Sequence, residues 1–120
     1  GLLNGIIVAM GGAIGAVLRY LIGLLPLNPQ NGFPLKTFCI NVIGAFAIGL
    51  VAALSARASL NPRFTLFLKV GICGGFTTFS SFALETEALL GKGNQTIALL
   101  YVVSSLVCGV LAVAVAESLV

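Results

Sequence analysis

Apolar residues run along this chain in four long stretches, at 2–25, 35–54, 66–90 and 97–119. Short polar or proline-bearing breaks separate them. Pro26 and Pro29 end the first stretch, and Pro34 opens the second. A polar run at 55–57 closes the second, Asn61-Pro62 marks a turn, and Gly91-Lys92-Gly93-Asn94 closes the third. Each stretch is close to the roughly 20 residues that a helix needs to cross a hydrocarbon core. The first carries no basic leader and is too long for a signal-peptide core, so it is read as structure. The pattern predicts one domain over 1–120, with four transmembrane helices and no β-structure. Short connections make consecutive helices antiparallel and put both termini on one side.

Composition narrows the class. Hydrophobic residues make up 59% of the chain and charged residues 8%, where soluble domains carry roughly 25% charged residues. A chain of 120 residues cannot hide that much apolar surface in a water-soluble core. Lipid is the remaining solvent. Histidine is absent and only three acids occur, which leaves no His base, no Cys/His metal cluster and little scope for paired carboxylates. The chain does not read as an enzyme. Cys39, Cys73 and Cys108 stand far apart, as small packing residues. The formal charge of +3 is scattered, so nucleic-acid binding has no support.

The placement of the bases carries more. Arg57, Arg63 and Lys69 fall toward the side holding the termini, and Arg19, Lys36 and Lys92 toward the other. Three against three gives the positive-inside rule nothing to act on. Such a chain either inserts both ways and pairs as an antiparallel, dual-topology homodimer, or takes a single orientation fixed by lipid or a partner. That pairing would give from two copies what transporters obtain from inverted repeats. Small residues at four-residue spacing, Gly11/Gly15, Ala45/Gly49, Gly71/Gly75 and Ser105/Gly109, allow close helix approach within or between copies.

Polar residues interrupt the spans at few places. The third contains Gly74-Gly75-Phe76-Thr77-Thr78-Phe79-Ser80-Ser81-Phe82. Paired glycines followed by hydroxyls predict a helix broken near its centre, because such a break needs partners for its freed backbone groups. Freed carbonyls at a break are also ligands for a small cation. Thr78, Ser81 and Glu85 form a polar track, and Phe79 and Phe82 border it at i and i+3. An acid in a span belongs in a bundle interior or along a water path, and aromatic edges carry positive potential that suits an anion. Asn41 lies one turn beyond Thr37, its amide available either to an anion or to a neighbouring helix. Tyr101 and Ser105 share a face of the fourth span. Arg19, the one full charge in the first span, either snorkels or raises anion concentration in a vestibule.

These residues resemble a known family. Residues 74–82 are similar to the third-helix signature of the Fluc/CrcB fluoride channels, usually GG-x-TTFSTF, with Ser81 where threonine is usual and Ala83 where a hydroxyl residue is common. The run from Gly11 to Tyr20 resembles that family's first helix, and Thr37-x-x-x-Asn41-x-x-Gly44 its second. The resemblance implies an antiparallel homodimer with two pores that export fluoride passively through a prokaryotic plasma membrane. It implies that ring edges of Phe79 and Phe82 contact the ion, that Asn41 is the pore amide, and that Thr78, Ser81 and Glu85 lie along the track. It further implies pore hydroxyls at Tyr101 and Ser105, a vestibule lined by Arg19, and a structural Na+ at the dimer centre held by the Gly74 and Thr77 carbonyls. The alternative is a small dual-topology multidrug exporter, which needs an acid in its first helix; this chain has Arg19 there and no acid. A packing subunit without transport would leave the break and the track unexplained.

Overall fold

Helix ends follow local chemistry more closely than hydropathy does. The computed structural model describes all residues, Gly1–Val120. The first helix, α1 (Leu2–Gly23), stops two residues short of the apolar run. Leu24 and Leu25 donate to Leu21 and Ile22, a tightened turn of i→i+3 bonds, because the residue before Pro26 is pushed out of helical geometry. The second, α2 (Leu35–Ala58), runs past the expected end at 54 and stops at Ser59, which turns left-handed at φ 52°. The polar run at 55–57 does not end a helix; the Ser55 hydroxyl lies 3.2 Å from that of Thr65 and ties α2 to the next segment.

The third span starts earlier than the apolar pattern suggests. Asn61 caps α3 (Pro62–Leu66), its Oδ1 accepting from the Arg63 amide at 2.9 Å, and Pro62 holds the first helical position. The pair read as a turn is thus a helix start, the place where proline's missing N–H costs nothing. The helix then widens to i→i+5 bonding over Phe67–Cys73 and ends in one turn, α4 (Gly74–Phe76). Thr77 and Thr78 are extended, with φ,ψ of −81°,156° and −149°,116°. Helix resumes as α5 (Phe79–Gly91). The break therefore falls just beyond the paired glycines, which remain helical. The fourth span, α6 (Gln95–Ser118), follows a turn in which Gly93 has φ 78°.

Four helices, Leu2–Gly23, Leu35–Ala58, Pro62–Gly91 and Gln95–Ser118, are long and apolar enough to cross a membrane. Packing has two halves. α1 lies along the third span from Phe67 to Phe76, and α2 lies along α6. Glycine makes the first contact possible. A Cβ at Gly11 would fall 2.8 Å from the Gly71 Cα, and one at Gly15 would fall 2.7 Å from the Phe76 amide nitrogen. At Gly75 it would meet the Gly12 carbonyl at 2.5 Å. Gly49 brings α2 onto Val113 and Ala116 of α6. Gly109 faces nothing within 4 Å, so the Ser105/Gly109 stripe is left open. Only 14 of 120 residues are buried, which suits a chain whose outer faces meet lipid or protein rather than water.

Gly15→Leu drives a side chain into backbone atoms that cannot rotate away. The expected cost is about 3 kcal/mol, at the upper end of overpacking penalties. Gly5→Ala is the control, since a Cβ there meets nothing within 4 Å. Thermal unfolding in detergent should show a large drop for the first and none for the second.

Candidate functional site at the third-span break

The break is held from α2. Asn41 sits opposite Thr78 and engages its backbone twice: the Thr78 amide donates to Oδ1 at 2.8 Å, and Nδ2 donates to the Thr78 carbonyl at 3.1 Å. The asparagine thus replaces two helical bonds lost at the extended residues. One Nδ2 hydrogen is left over. Gly44, one turn on, makes room for the Thr77 methyl, since a Cβ there would strike Thr77 Cγ2. The Thr77 hydroxyl turns back onto the Cys73 carbonyl at 2.9 Å. The Thr78 hydroxyl caps α5, accepting from the Ser81 amide at 3.1 Å. Thr77 and the track residue Thr78 are therefore both structural partners of the break.

The acid of the track is equally engaged. Thr37 Oγ1 donates to Glu85 Oε2 at 2.8 Å, and the Tyr101 hydroxyl donates to Oε1 at 2.9 Å. One carboxylate so joins α2, α5 and α6. Tyr101 is fully buried; its ring packs against Phe82 at a tilt of 55° with centroids 5.0 Å apart, and Phe33 meets it edge-on at 5.5 Å. Phe79 is 79% exposed and lies 5.9 Å from Phe82 between centroids.

Two open grooves flank the break and share Thr78. One, of about 280 Å³, is lined by Asn41, Thr77, Thr78, Phe79, Phe82, Ser105 and Leu106. The other, of about 350 Å³, holds Arg19, Lys36, Thr37, Ser81 and Glu85. Ser105 Oγ is shut off from solvent yet has no hydrogen-bond partner, an unusual state for a buried hydroxyl. The expected site residues are thus divided. Asn41, Phe79, Phe82 and Ser105 face the first groove, and Arg19, Ser81 and Glu85 the second, while Tyr101 lies behind both as a support for Glu85. Arg19 does not simply point to the interface: its Nε donates to the Gly75 carbonyl at 3.2 Å.

Spacing alone did not point to three contributors. Thr37 stood only as a neighbour of Asn41, yet it holds the acid. Gly44 determines how closely α2 meets the break. Lys36 Nζ donates to the Gly23 carbonyl at 2.8 Å, closing the C-terminus of α1, where a cation is favoured.

The carbonyls named for a cation have lost their regular donors. The Thr78 amide, which a continuous helix would give to Gly74 O, goes to Asn41. The Ser81 amide, due to Thr77 O, goes to the Thr78 hydroxyl. Neutral oxygens of this kind fit a hard cation, and Gly74 is exposed on the surface of the chain.

A four-span bundle, a third span interrupted near its middle, and two grooves beside the break, one lined by neutral polar groups and phenyl rings and the other by Arg19, Lys36 and Glu85, define a small multi-pass membrane protein built around a broken helix. The chain belongs to the CrcB family: the family described as CrcB-like protein, Camphor Resistance (CrcB), matches residues 6–116. It is 48% identical over 105 residues to the fluoride-specific ion channel FluC of Thermus thermophilus, covering 87% of this chain and 84% of that protein. It is 43% identical over 116 residues to the fluoride-specific ion channel FluC of Agrobacterium fabrum, covering 93% and 91%. The like-named protein of Helicobacter acinonychis is 42% identical over 110 residues.

Asn41→Asp tests the brace. An ionised aspartate keeps the acceptor for the Thr78 amide and sets a second oxygen against the Thr78 carbonyl. Losing that donor is expected to cost about 2 kcal/mol, read as a lower unfolding temperature in detergent.

Proposed function

We propose that this chain is a fluoride channel that lets the ion leave the cytoplasm passively, working as an antiparallel homodimer in a prokaryotic cell membrane. Kinship with proteins named as fluoride-specific channels supports the substrate. The observation that carries the pore reading is the open groove that Asn41, Phe79, Phe82 and Ser105 line beside the break, with the Ser105 hydroxyl left unpartnered although closed to solvent. A spare amide hydrogen and two phenyl rings, with an unpartnered hydroxyl closed in beside them, make a lining of weak donors without a full charge. A small anion can enter such a set and leave it again, whereas a fixed cation would hold it.

The driving force needs no coupling. Hydrogen fluoride is a weak acid that crosses membranes neutral and dissociates in a less acidic cytoplasm. An inside-negative potential then favours exit by about 2.3 kcal/mol per charge per 100 mV. The chain's own work is to replace water around a strongly hydrated ion and to keep the broken backbone satisfied. The grooves are open on one side, and a second, oppositely inserted copy is the wall that would close them. A sodium ion between the copies would be held by Gly74 and Thr77 carbonyls, and when bound it supplies a fixed positive charge that ties the two breaks together.

Phe79→Ile and Phe82→Ile separate pore from packing. As filler, an isoleucine of similar bulk leaves transport intact. As ion-facing edges, each ring is worth about 2.7 kcal/mol at the barrier, so fluoride efflux from liposomes should fall roughly a hundredfold. Size-exclusion profiles report folding. Near-normal efflux in both variants would overturn the pore assignment.

Gly74→Val tests the second copy. A Cβ at Gly74 has no neighbour closer than the Lys69 carbonyl at 3.9 Å, so one protomer accommodates a side chain. Valine should leave the monomer folded while abolishing assembly and flux. Assembly and flux at the unsubstituted level would sink the proposed cation site.

A further inference from the structure

We propose that Arg19 is a positioning residue that holds the third-span break in its open geometry by standing in for a missing backbone donor. Gly11, Gly15 and Arg19 follow at i, i+4 and i+8, one face of α1. The two glycines press that face against the third span, at Gly71 and at the Phe76 amide. One turn further on, the same face delivers the guanidinium onto the Gly75 carbonyl, with Nε donating at 3.2 Å. In a continuous helix Gly75 O would take the amide of Phe79. Here Phe79 opens α5, beyond two extended residues. A carbonyl left bare at this depth is costly, and Arg19 satisfies it.

Three features give the contact consequence. Arg19 closes the break from α1, while Asn41 closes it from α2 through Thr78. The two braces bracket Thr77, so the direction of the Gly74 and Thr77 carbonyls depends on both. Only one of the five N–H groups of a guanidinium is used by the Nε bond. The others border the groove of Lys36, Thr37 and Glu85. Finally, Arg19 lies before the last turn of α1, which carries no base, so the bond to the Gly75 carbonyl rather than the helix dipole holds the charge in place. Arg19 so acts on conduction through the backbone as well as through its field. Its part in conduction rests on the fluoride-channel reading; its part at the break does not.

The test uses two neutral replacements. Arg19→Gln places an amide N–H at the same number of bonds from Cα as Nε, without the charge. Arg19→Met matches the reach and has no donor. The first readout is hydrogen–deuterium exchange of the segment 75–82 in the purified protein, with no fluoride present. Methionine should speed exchange about tenfold, in keeping with the loss of one hydrogen bond that a neutral donor can also supply. Glutamine should restore protection to near the unsubstituted level. The second readout is the rise in unfolding temperature produced by sodium over a large organic cation, which methionine should abolish and glutamine retain. Fluoride flux should fall with glutamine through the lost charge and fall further with methionine. Unchanged exchange in Arg19→Met, or failure of Arg19→Gln to restore it, would overturn the assignment. If the unsubstituted chain passes no fluoride while exchange still follows the donor, the functional reading fails and the role of Arg19 at the break stands.

Discussion

A backbone interrupted inside a membrane must find all its hydrogen-bond partners within the protein, because lipid offers none. Everything distinctive in this chain follows from meeting that constraint at Thr77 and Thr78. Asn41 answers for the Thr78 amide and carbonyl. Thr78 answers for the first turn of α5, and Thr77 returns its own hydroxyl to Cys73. Arg19 answers for Gly75. For these partners to reach the break, α1 and α2 must lie almost on its backbone. That is the work of Gly11, Gly15 and Gly44, where any Cβ would strike the third span.

The same constraint assigns duties among the polar residues. Hydroxyls and amides near a break are needed to stabilise it, so few remain to serve an ion. Thr37 and Tyr101 donate to Glu85 and keep an intramembrane acid within a network of donors. What is left at the first groove is one hydrogen of Asn41 and the rings of Phe79 and Phe82, with the unpartnered Ser105 hydroxyl closed to solvent beside them. An apolar wall with a few neutral donors would hold fluoride only weakly, which is what the proposed passage requires.

Much of this was legible in the residues. Four spans, the break and the polar track follow from hydropathy, from Gly-Gly before hydroxyls, and from the i, i+3, i+7 spacing of Thr78, Ser81 and Glu85. Other features were not. Whether a hydroxyl points at an ion or at a neighbouring carboxylate depends on which helix lies opposite, and Tyr101 illustrates this: its spacing with Ser105 put both on one face, but only Ser105 remains free. The extra-wide turn at Phe67–Cys73 has no local signature, because i→i+5 bonding is a response to packing. Asn61-Pro62 carried a readable cap signal that hydropathy obscured. The resemblance named Arg19 as a vestibule residue, and spacing could not say that its Nε meets a backbone carbonyl 56 positions away.

The division of α1 into a glycine half and an arginine end explains why a charge is tolerated in the first span at all. A snorkelling arginine needs only a path to water, and its position along the helix is loosely set. One that must reach Gly75 is fixed in register with Gly11 and Gly15, since a shift of one residue would rotate it about 100° away from the third span. The charge, the small-residue stripe and the break therefore form a single unit. The equal count of bases on the two sides of the membrane belongs to the same unit. Arg19 and Lys36 are committed to closing carbonyls at Gly75 and Gly23, so neither can be moved to bias orientation without opening a helix end. A chain that needs those cations where they are has less freedom to follow the positive-inside rule, and the proposed two-way insertion would turn that restriction into the means by which two such half-lined grooves face each other.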